Sequence, residues 1–235
     1  MNSPVPSRAE IGVVIVAAGK GTRLGGTAKQ FRPLGGVPLL LHTLRPFTSH
    51  PEIGAIVVVL APDVCASPPD WLMGLIGVRL SLVPGGVERA DSVRAGVAAL
   101  PASCSIVLIH DGARPFPQRA VIDGVIDACR AGEAAIAALP MHDTVKEAQP
   151  RPDGMHVTRR TVPRDHLWRA QTPQGFPRQL LERAYAERGD AVTDDAQAVE
   201  RLGHDVVLIH DSTLNLKVTT ADDLALAEAL VEARK

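Results

Sequence analysis

The chain has 235 residues, of which 46% are hydrophobic, 22% charged and 3% aromatic, and its formal net charge is -1. That length suits one large α/β domain or two small ones with a substantial buried core. The near-neutral charge gives no general attraction to polyanions, and so few aromatic side chains argue against a stacking surface for single-stranded nucleic acid.

No nucleic-acid partner is therefore expected. Cys65, Cys104 and Cys129 form no C-x-x-C pair, and an odd, scattered set suits core filling in a reducing compartment better than a disulfide framework. Residues 1–10 lack an apolar signal core, and no run reaches the roughly 18 apolar residues of a bilayer span. The expectation is a cytoplasmic protein with no membrane partner. Twenty arginines stand against five lysines, four of which (Lys20, Lys29, Lys146, Lys217) fall in stretches singled out on other grounds. Where a compact point charge is needed, arginine's planar fork is no substitute.

In chain order, Ile11 to Val16 predicts a buried parallel strand. Gly19, Gly21 and Gly25 follow as G-x-G-x-x-x-G, with Arg23 and Lys29 adding cationic charge, and the stretch reads as a phosphate-handling loop. The spacing is one residue longer than the dinucleotide fingerprint and no G-K-[ST] follows, which disfavours both a nicotinamide-dependent oxidoreductase and a Walker loop. A helix is expected over Pro38 to Phe47, then strands at Ile53 to Leu60 and Val78 to Val83. Gly85-Gly86 leads into a helix from Arg89 to Leu100, Ser105 to Ile109 is a strand, Arg119 to Arg130 a helix and Ala134 to Leu139 a strand. This alternation predicts a mostly parallel twisted sheet with helices on both faces and a ligand site at the carboxyl ends of its strands.

From Met141 to Pro163 the pattern breaks into a polar ribbon, read as a protruding β-hairpin arm on a single domain spanning residues 1–235. Such a ribbon is marginal alone and must rest on its own domain or on a partner subunit. Helices are then expected from Arg178 to Arg188 and from near Asp194, a strand at Val206 to Ile209, and a closing helix from Ala221 to Ala233 capped by Thr220 with Asp223 three residues on.

Asp111, at a strand end beside Gly112 and Arg114, is placed either to hold Mg²⁺, which keeps waters and bridges to substrate phosphates, or simply to cap a turn. Asp211 is a weaker candidate of the same kind. His110 and His210 read as packing residues, and the eight histidines show no zinc spacing. Gly85 to Ser92 forms a second ligand loop at a helix start, although the Ser92 hydroxyl can equally bond within its own helix. Taken singly, Arg164, Thr193 and Lys217 are ordinary solvated residues. With no Ser-His-Asp order, Cys-His pair or paired carboxylates, the inventory of cations, glycines and one carboxylate suits phosphoryl or nucleotidyl transfer, in which the substrate's own phosphate attacks.

Seven motifs in order then carry a resemblance: Ala17-Ala-Gly-Lys-Gly-Thr-Arg23 with Lys29-Gln30, Gly85-Gly-Val-Glu-Arg-Ala-Asp-Ser92, His110-Asp-Gly-Ala-Arg-Pro115, Asp143-Thr144, Gln171-Thr-Pro-Gln174, Thr193-Asp194 and Leu216-Lys-Val-Thr219. From about Ile11 to the last helix the chain resembles the 2-C-methyl-D-erythritol 4-phosphate cytidylyltransferase family. The resemblance implies a Rossmann-like nucleotidyltransferase fold, reaction of CTP with methylerythritol 4-phosphate in the non-mevalonate isoprenoid pathway, and Mg²⁺ near Asp111. By motif, Arg23 and Lys29 would stabilise charge on the reacting phosphates, while Arg164 and Lys217 would orient the attacking oxygen. Ala17, Ala18, Gly85, Gly86 and Ser92 would bind the nucleoside, and Gly19 and Gly21 would cradle its phosphates. Arg114, Thr144, Arg164, Thr193, Lys217 and Thr219 would surround the acceptor.

In that family the hairpin clasps a second subunit, so a homodimer is implied in which Thr144 and Arg164 reach the partner's site. The chain departs from the family pattern at Ala28 for proline, Val87 for an acidic residue, Gly112 for alanine and Asp195 for glutamate. With Ala28 and Val87, the nucleotide loops are expected to order only on CTP binding. Ribitol 5-phosphate cytidylyltransferase and a non-catalytic nucleotide sensor are the competing readings. No zinc-binding domain follows in the sequence, so the fused bifunctional form of some relatives is not expected.

Overall fold

The computed structural model of the protein describes residues 10–19, 29–187 and 192–234. A seven-stranded sheet forms its centre, in the order β11-β7-β10-β6-β1-β4-β5. The strands are β1 (Ile11–Ala17), β4 (Ile53–Leu60), β5 (Leu80–Pro84), β6 (Ile106–Asp111), β7 (Ala134–Pro140), β10 (Trp168–Pro177) and β11 (Val206–His210). Parallel pairing joins β5 to β4, β4 to β1, β1 to β6 and β7 to β11. Only β10 runs against its neighbours β6 and β7.

The aliphatic runs that predicted these strands are buried because helices cover both faces. Val13 and Ile15 of β1 share one core with α1 (Leu39–Thr48) and α5 (Arg119–Arg130). Val14, one residue out of phase, faces α4 (Arg89–Ala99), α6 (Arg178–Ala186) and α7 (Asp195–Glu200). Shorter pieces fill the connections: a 3₁₀ turn at Lys29–Phe31, the pair β2 (Pro33–Leu34) and β3 (Val37–Pro38), and helices α2 (Pro62–Ala66) and α3 (Asp70–Met73). The last helix, α8 (Ala221–Glu232), starts as expected, Thr220 Oγ1 accepting from the Asp223 N–H at 3.2 Å and Asp223 accepting in return from the Thr220 N–H at 2.8 Å.

The structure corrects several expectations. The strand expected over Val78 to Val83 begins at Leu80, and Val78 is fully exposed. The strand expected to stop at Ile109 continues through Asp111, so that carboxylate belongs to the strand end itself. The segment around Gln171 to Gly175 is part of β10, buried between two strands. Its prolines and glycine hide that assignment, and the ladder to β7 does break between Ala170 and Gln174, where Pro173 has no N–H to give. His210 is exposed, edge-on to Trp168 at 6.1 Å between ring centroids, and is no core residue.

The expected arm is present as β8 (Val145–Pro150) and β9 (His156–Val162), a separate antiparallel pair. Most of its residues are exposed. Lys146 Nζ donates to Thr161 Oγ1 across the ribbon at 2.7 Å, and Glu147 accepts from Arg159 at 2.9 Å and from Arg160. That accounts for Lys146 without a ligand.

Candidate active site

The order of the sheet reverses at β1, with β4 and β5 laid down on one side and β6 on the other, and in such sheets ligands bind beyond the carboxyl ends at the reversal. A cavity of about 230 Å³ opens there. Among the described residues it is lined by Val16 to Gly19 after β1, Lys29 and Gln30, Gly86 to Arg89 and Ser92 after β5, Asp111 to Ala113 after β6, and Lys217.

Its walls come together because the backbone approaches itself closely. Gly112 donates its N–H to the Val16 carbonyl at 2.9 Å, and a Cβ there would stand 2.7 Å from that of Ala17. Gly85 donates to the Leu60 carbonyl at 2.7 Å, and a Cβ would stand 2.5 Å from that of Ala18. Gln30 Nε2 reaches back to the Ala17 carbonyl at 2.7 Å, and Lys29 Nζ donates to the Val218 carbonyl at 3.1 Å.

Asp111 is the cavity's buried carboxylate. Its Oδ2 lies 2.9 Å from Lys217 Nζ and 3.5 Å from Arg114 Nε, and its Oδ1 lies 3.8 Å from Arg89 Nε. Burial opposes ionisation, but Lys217, Arg89 and Arg114 outweigh it and hold the carboxyl well below the usual range. Behind it His110 is fully buried, and burial pushes its pKa down to about 4. Its Nε2 faces the Arg114 carbonyl at 3.1 Å and so carries the proton, leaving Nδ1 to accept from the Thr172 hydroxyl at 2.9 Å. Thr172 Oγ1 in turn accepts the Asp111 N–H at 3.1 Å. The histidine is thus a neutral spacer that fixes the strand end.

Arg89 was not singled out by the sequence as a site residue, yet it lines the cavity and donates through both terminal nitrogens to Asp195, at 3.0 and 2.7 Å. Burial works against its charge, but Asp195 and Asp111 outweigh that and raise its pKa. Asp195 is fully buried and also accepts the Tyr185 hydroxyl proton. The signal was out of reach of spacing, because the two partners stand 106 residues apart in the chain.

The structure brings Ala17, Ala18, Gly19, Lys29, Gly86, Ser92, Asp111 and Lys217 to this cavity. Gly21, Arg23 and the Ala28 departure lie outside the described residues. Ser92 is 2% exposed and works inside its own loop, accepting the Gly86 N–H at 3.2 Å and donating to the Glu88 carbonyl at 3.3 Å. Val87 is fully exposed at the rim. Arg114 is buried and does not line the cavity, donating instead to the Asn215 carbonyl at 2.7 Å. Asp211 is occupied with Asn215 Nδ2 at 2.6 Å and the Ser212 N–H at 2.6 Å, which explains it as an anchor for that loop. The Thr219 hydroxyl donates to Asp223 at 2.6 Å, so toward a ligand it has only lone pairs to offer. Thr193 is exposed, with Gln197 Oε1 accepting its N–H at 2.8 Å. Thr144 and Arg164 are exposed at the root of the arm, Arg164 donating to the His142 carbonyl, and neither lines this cavity within one chain.

Among the described residues no group of three or more His, Cys, Asp or Glu could cage a metal. The buried carboxylate of Asp111 nevertheless fits a hydrated Mg²⁺ that takes its remaining ligands from water and substrate phosphates. Among the described lining residues none is a nucleophile with an adjacent base.

The model of the family 2-C-methyl-D-erythritol 4-phosphate cytidylyltransferase (IspD) matches residues 11–233. The enzyme of that name from Streptomyces avermitilis is 42% identical, over 99% of this chain and 96% of its own. The bifunctional IspD/IspF enzyme of Desulforudis audaxviator is also 42% identical over 93% of this chain, which spans 56% of its length. The crystal structure of the Thermus thermophilus 2-C-methyl-D-erythritol 4-phosphate cytidylyltransferase superposes with a TM-score of 0.78 at 35% identity, covering 95% of this chain and 99% of that one.

Proposed function

The chain belongs to the 2-C-methyl-D-erythritol 4-phosphate cytidylyltransferase family, and from that premise we propose that it transfers a cytidylyl group from CTP to methylerythritol 4-phosphate. The observation that carries this reading is the meeting of Lys29, Asp111 and Lys217 in one cavity at the carboxyl ends of β1 and β6, with no nucleophile and adjacent base among the described lining residues.

An oxygen of the acceptor's phosphate attacks the α-phosphorus of CTP in line. The new P–O bond forms as the bond to the β-phosphate bridge breaks, and the electron pair leaves with pyrophosphate. Catalysis is then positioning and charge stabilisation. Lys29, with Arg23 from the preceding loop, meets the charge growing on the α-phosphate and the leaving group. Lys217 orients the acceptor. Gly85, Gly86 and Ser92 shape the loop against which the base lies, Ser92 by holding the Gly86 N–H and the Glu88 carbonyl rather than by a free hydroxyl. Asp111 is the residue that would hold Mg²⁺, which neutralises phosphate charge when bound.

The exposed arm supports a homodimer in which Thr144 and Arg164 of one subunit complete the other's site, since a two-stranded polar ribbon needs something to rest on. Three free cysteines among the described residues suit a cytoplasmic enzyme.

Pyrophosphate release with CTP and Mg²⁺, measured against methylerythritol 4-phosphate, ribitol 5-phosphate and simple sugar phosphates, tests the whole reading. Turnover with methylerythritol 4-phosphate is expected. Turnover with ribitol 5-phosphate alone would overturn the acceptor, and CTP binding without pyrophosphate release would make the protein a sensor.

A further inference from the structure

The two oxygens of Asp111 are served by unlike cations. Oδ2 has Lys217, whose side chain is 42% exposed and whose ammonium is a point charge on a flexible stem, and at 3.5 Å the Nε of Arg114, whose Nη1 is held by the Asn215 carbonyl. Oδ1 has Arg89, which has no such freedom. Both of its terminal nitrogens are taken by Asp195, whose side chain is fully buried and is itself bonded to the Tyr185 hydroxyl, while the Asp195 N–H is bonded to Gln174 Oε1 at 3.1 Å. Only the Nε edge of Arg89 is left to face Asp111.

This asymmetry matters when the acceptor arrives. Its phosphate must draw Lys217, the nearest of three cations, away from a carboxylate that is largely out of water, and the fewer fixed charges remain there the more that costs. We propose that Arg89 is a positioning residue of the transfer: locked by Asp195 and Tyr185, it keeps a permanent cation opposite Oδ1 of Asp111, so that Lys217 is free to turn from Oδ2 to the acceptor's phosphate. The inference rests on the reading of Lys217 as the cation that meets the acceptor. Without Arg89, Asp111 keeps only Arg114 besides Lys217, holds Lys217 more tightly, and the acceptor competes less well for it. CTP, whose binding does not require Lys217 to leave, is little affected.

The test is calorimetric titration, in metal-free buffer where no Mg²⁺ stands in for Lys217 at Asp111, of methylerythritol 4-phosphate into the full chain and, separately, of a CTP analogue bearing a methylene bridge between its α- and β-phosphorus atoms. Arg89→Gln alone leaves Asp195 buried and unpaired, so the double variant Arg89→Gln/Asp195→Asn, which removes both charges together, is measured beside it. Each is expected to weaken acceptor binding about tenfold and to leave analogue binding within about threefold, because one lost fixed charge costs roughly a factor of ten at this separation. In a Lys217→Ala background the same double variant is expected to cost nothing further, since residues acting through one shared partner are not additive. Unchanged acceptor affinity in the double variant, or an equal loss with and without Lys217, would overturn the inference while leaving the cytidylyltransferase reading intact. If Lys217→Ala itself leaves acceptor affinity unchanged, the assignment of Lys217 fails and the inference fails with it.

Discussion

Lys29 Nζ donates to the carbonyl of Val218 at 3.1 Å, tying the end of the glycine loop to a segment 189 residues later, two residues before the cap of the last helix. The ammonium and Lys217 thereby line one cavity from opposite ends of the chain. A lysine held by a backbone carbonyl is aimed before any substrate arrives, which suits stabilisation of charge that develops only during reaction.

Lys29→Ala is therefore expected to lower kcat about 100-fold while weakening CTP binding less than about fivefold. Steady-state kinetics beside calorimetric CTP titration measure both. An unchanged kcat would remove Lys29 from the reacting centre. Lys29→Arg is expected to restore little, because a planar guanidinium does not reproduce a point charge in this geometry.

The arm offers a second test. If Arg164 serves the neighbouring subunit, mixing Lys29→Ala chains with Arg164→Ala chains yields heterodimers in which one site carries neither substitution. Activity above that of either parent is expected after subunit exchange, up to about a quarter of wild type for random pairing with two sites per dimer. No recovery despite verified exchange would mean that each site is built within one chain.

Gln174 is expected to matter for stability out of proportion to its size. Its Oε1 accepts the N–H groups of both Asp195 and Ala196, each at 3.1 Å, and its Nε2 donates to Asp194 at 2.9 Å. Gln174→Ala leaves two donors at the start of α7 without their acceptor in a buried place, and a loss of about 1–3 kcal/mol is expected in urea unfolding. A variant as stable as wild type would show that this end of α7 finds other acceptors.

Asp223 supplies a pH-dependent test. Burial alone would raise its pKa, but the Thr219 hydroxyl and the N–H groups of Thr219 and Thr220 outweigh it, leaving the carboxyl at about 2. A carboxyl lowered in the fold binds fewer protons than in the unfolded chain, so its contribution is full above about pH 4 and is lost as pH falls through about 2. Asp223→Ala is expected to cost about 1 kcal/mol at pH 7, the usual scale for a lost helix cap. The gap from wild type should narrow between pH 4 and pH 2 in urea unfolding. A gap that stays constant over that range would dissociate Asp223 from the cap.

The parallel half of the sheet was legible because its strands are short β-branched runs with glycine turns, and Lys29, Gly86, Ser92, Asp111 and Lys217 were found because each follows such a strand or sits in a motif of known order. What was not legible depends on pairing rather than pattern. Strand β10 is polar and broken by proline, and only its position between β6 and β7 makes it a strand. The Arg89 and Asp195 pair leaves no trace in local spacing. Ser92 and Thr219 were assigned to ligands by motif, yet their hydroxyls are spent on Glu88 and Asp223, because a hydroxyl near a helix start finds backbone and cap partners first. The Gly112 departure has a structural reason, since Val16 and Ala17 at the end of β1 leave no room there for a Cβ.

The chain returns from the arm at Trp168 and, with only residues 169–171 intervening, reaches Thr172, which receives the Asp111 N–H. From Ala170 to Gln174, a stretch that includes Thr172, the ladder to β7 is interrupted. Whatever the arm rests against is thus four residues of chain from the hydroxyl that holds the end of the Asp111 strand.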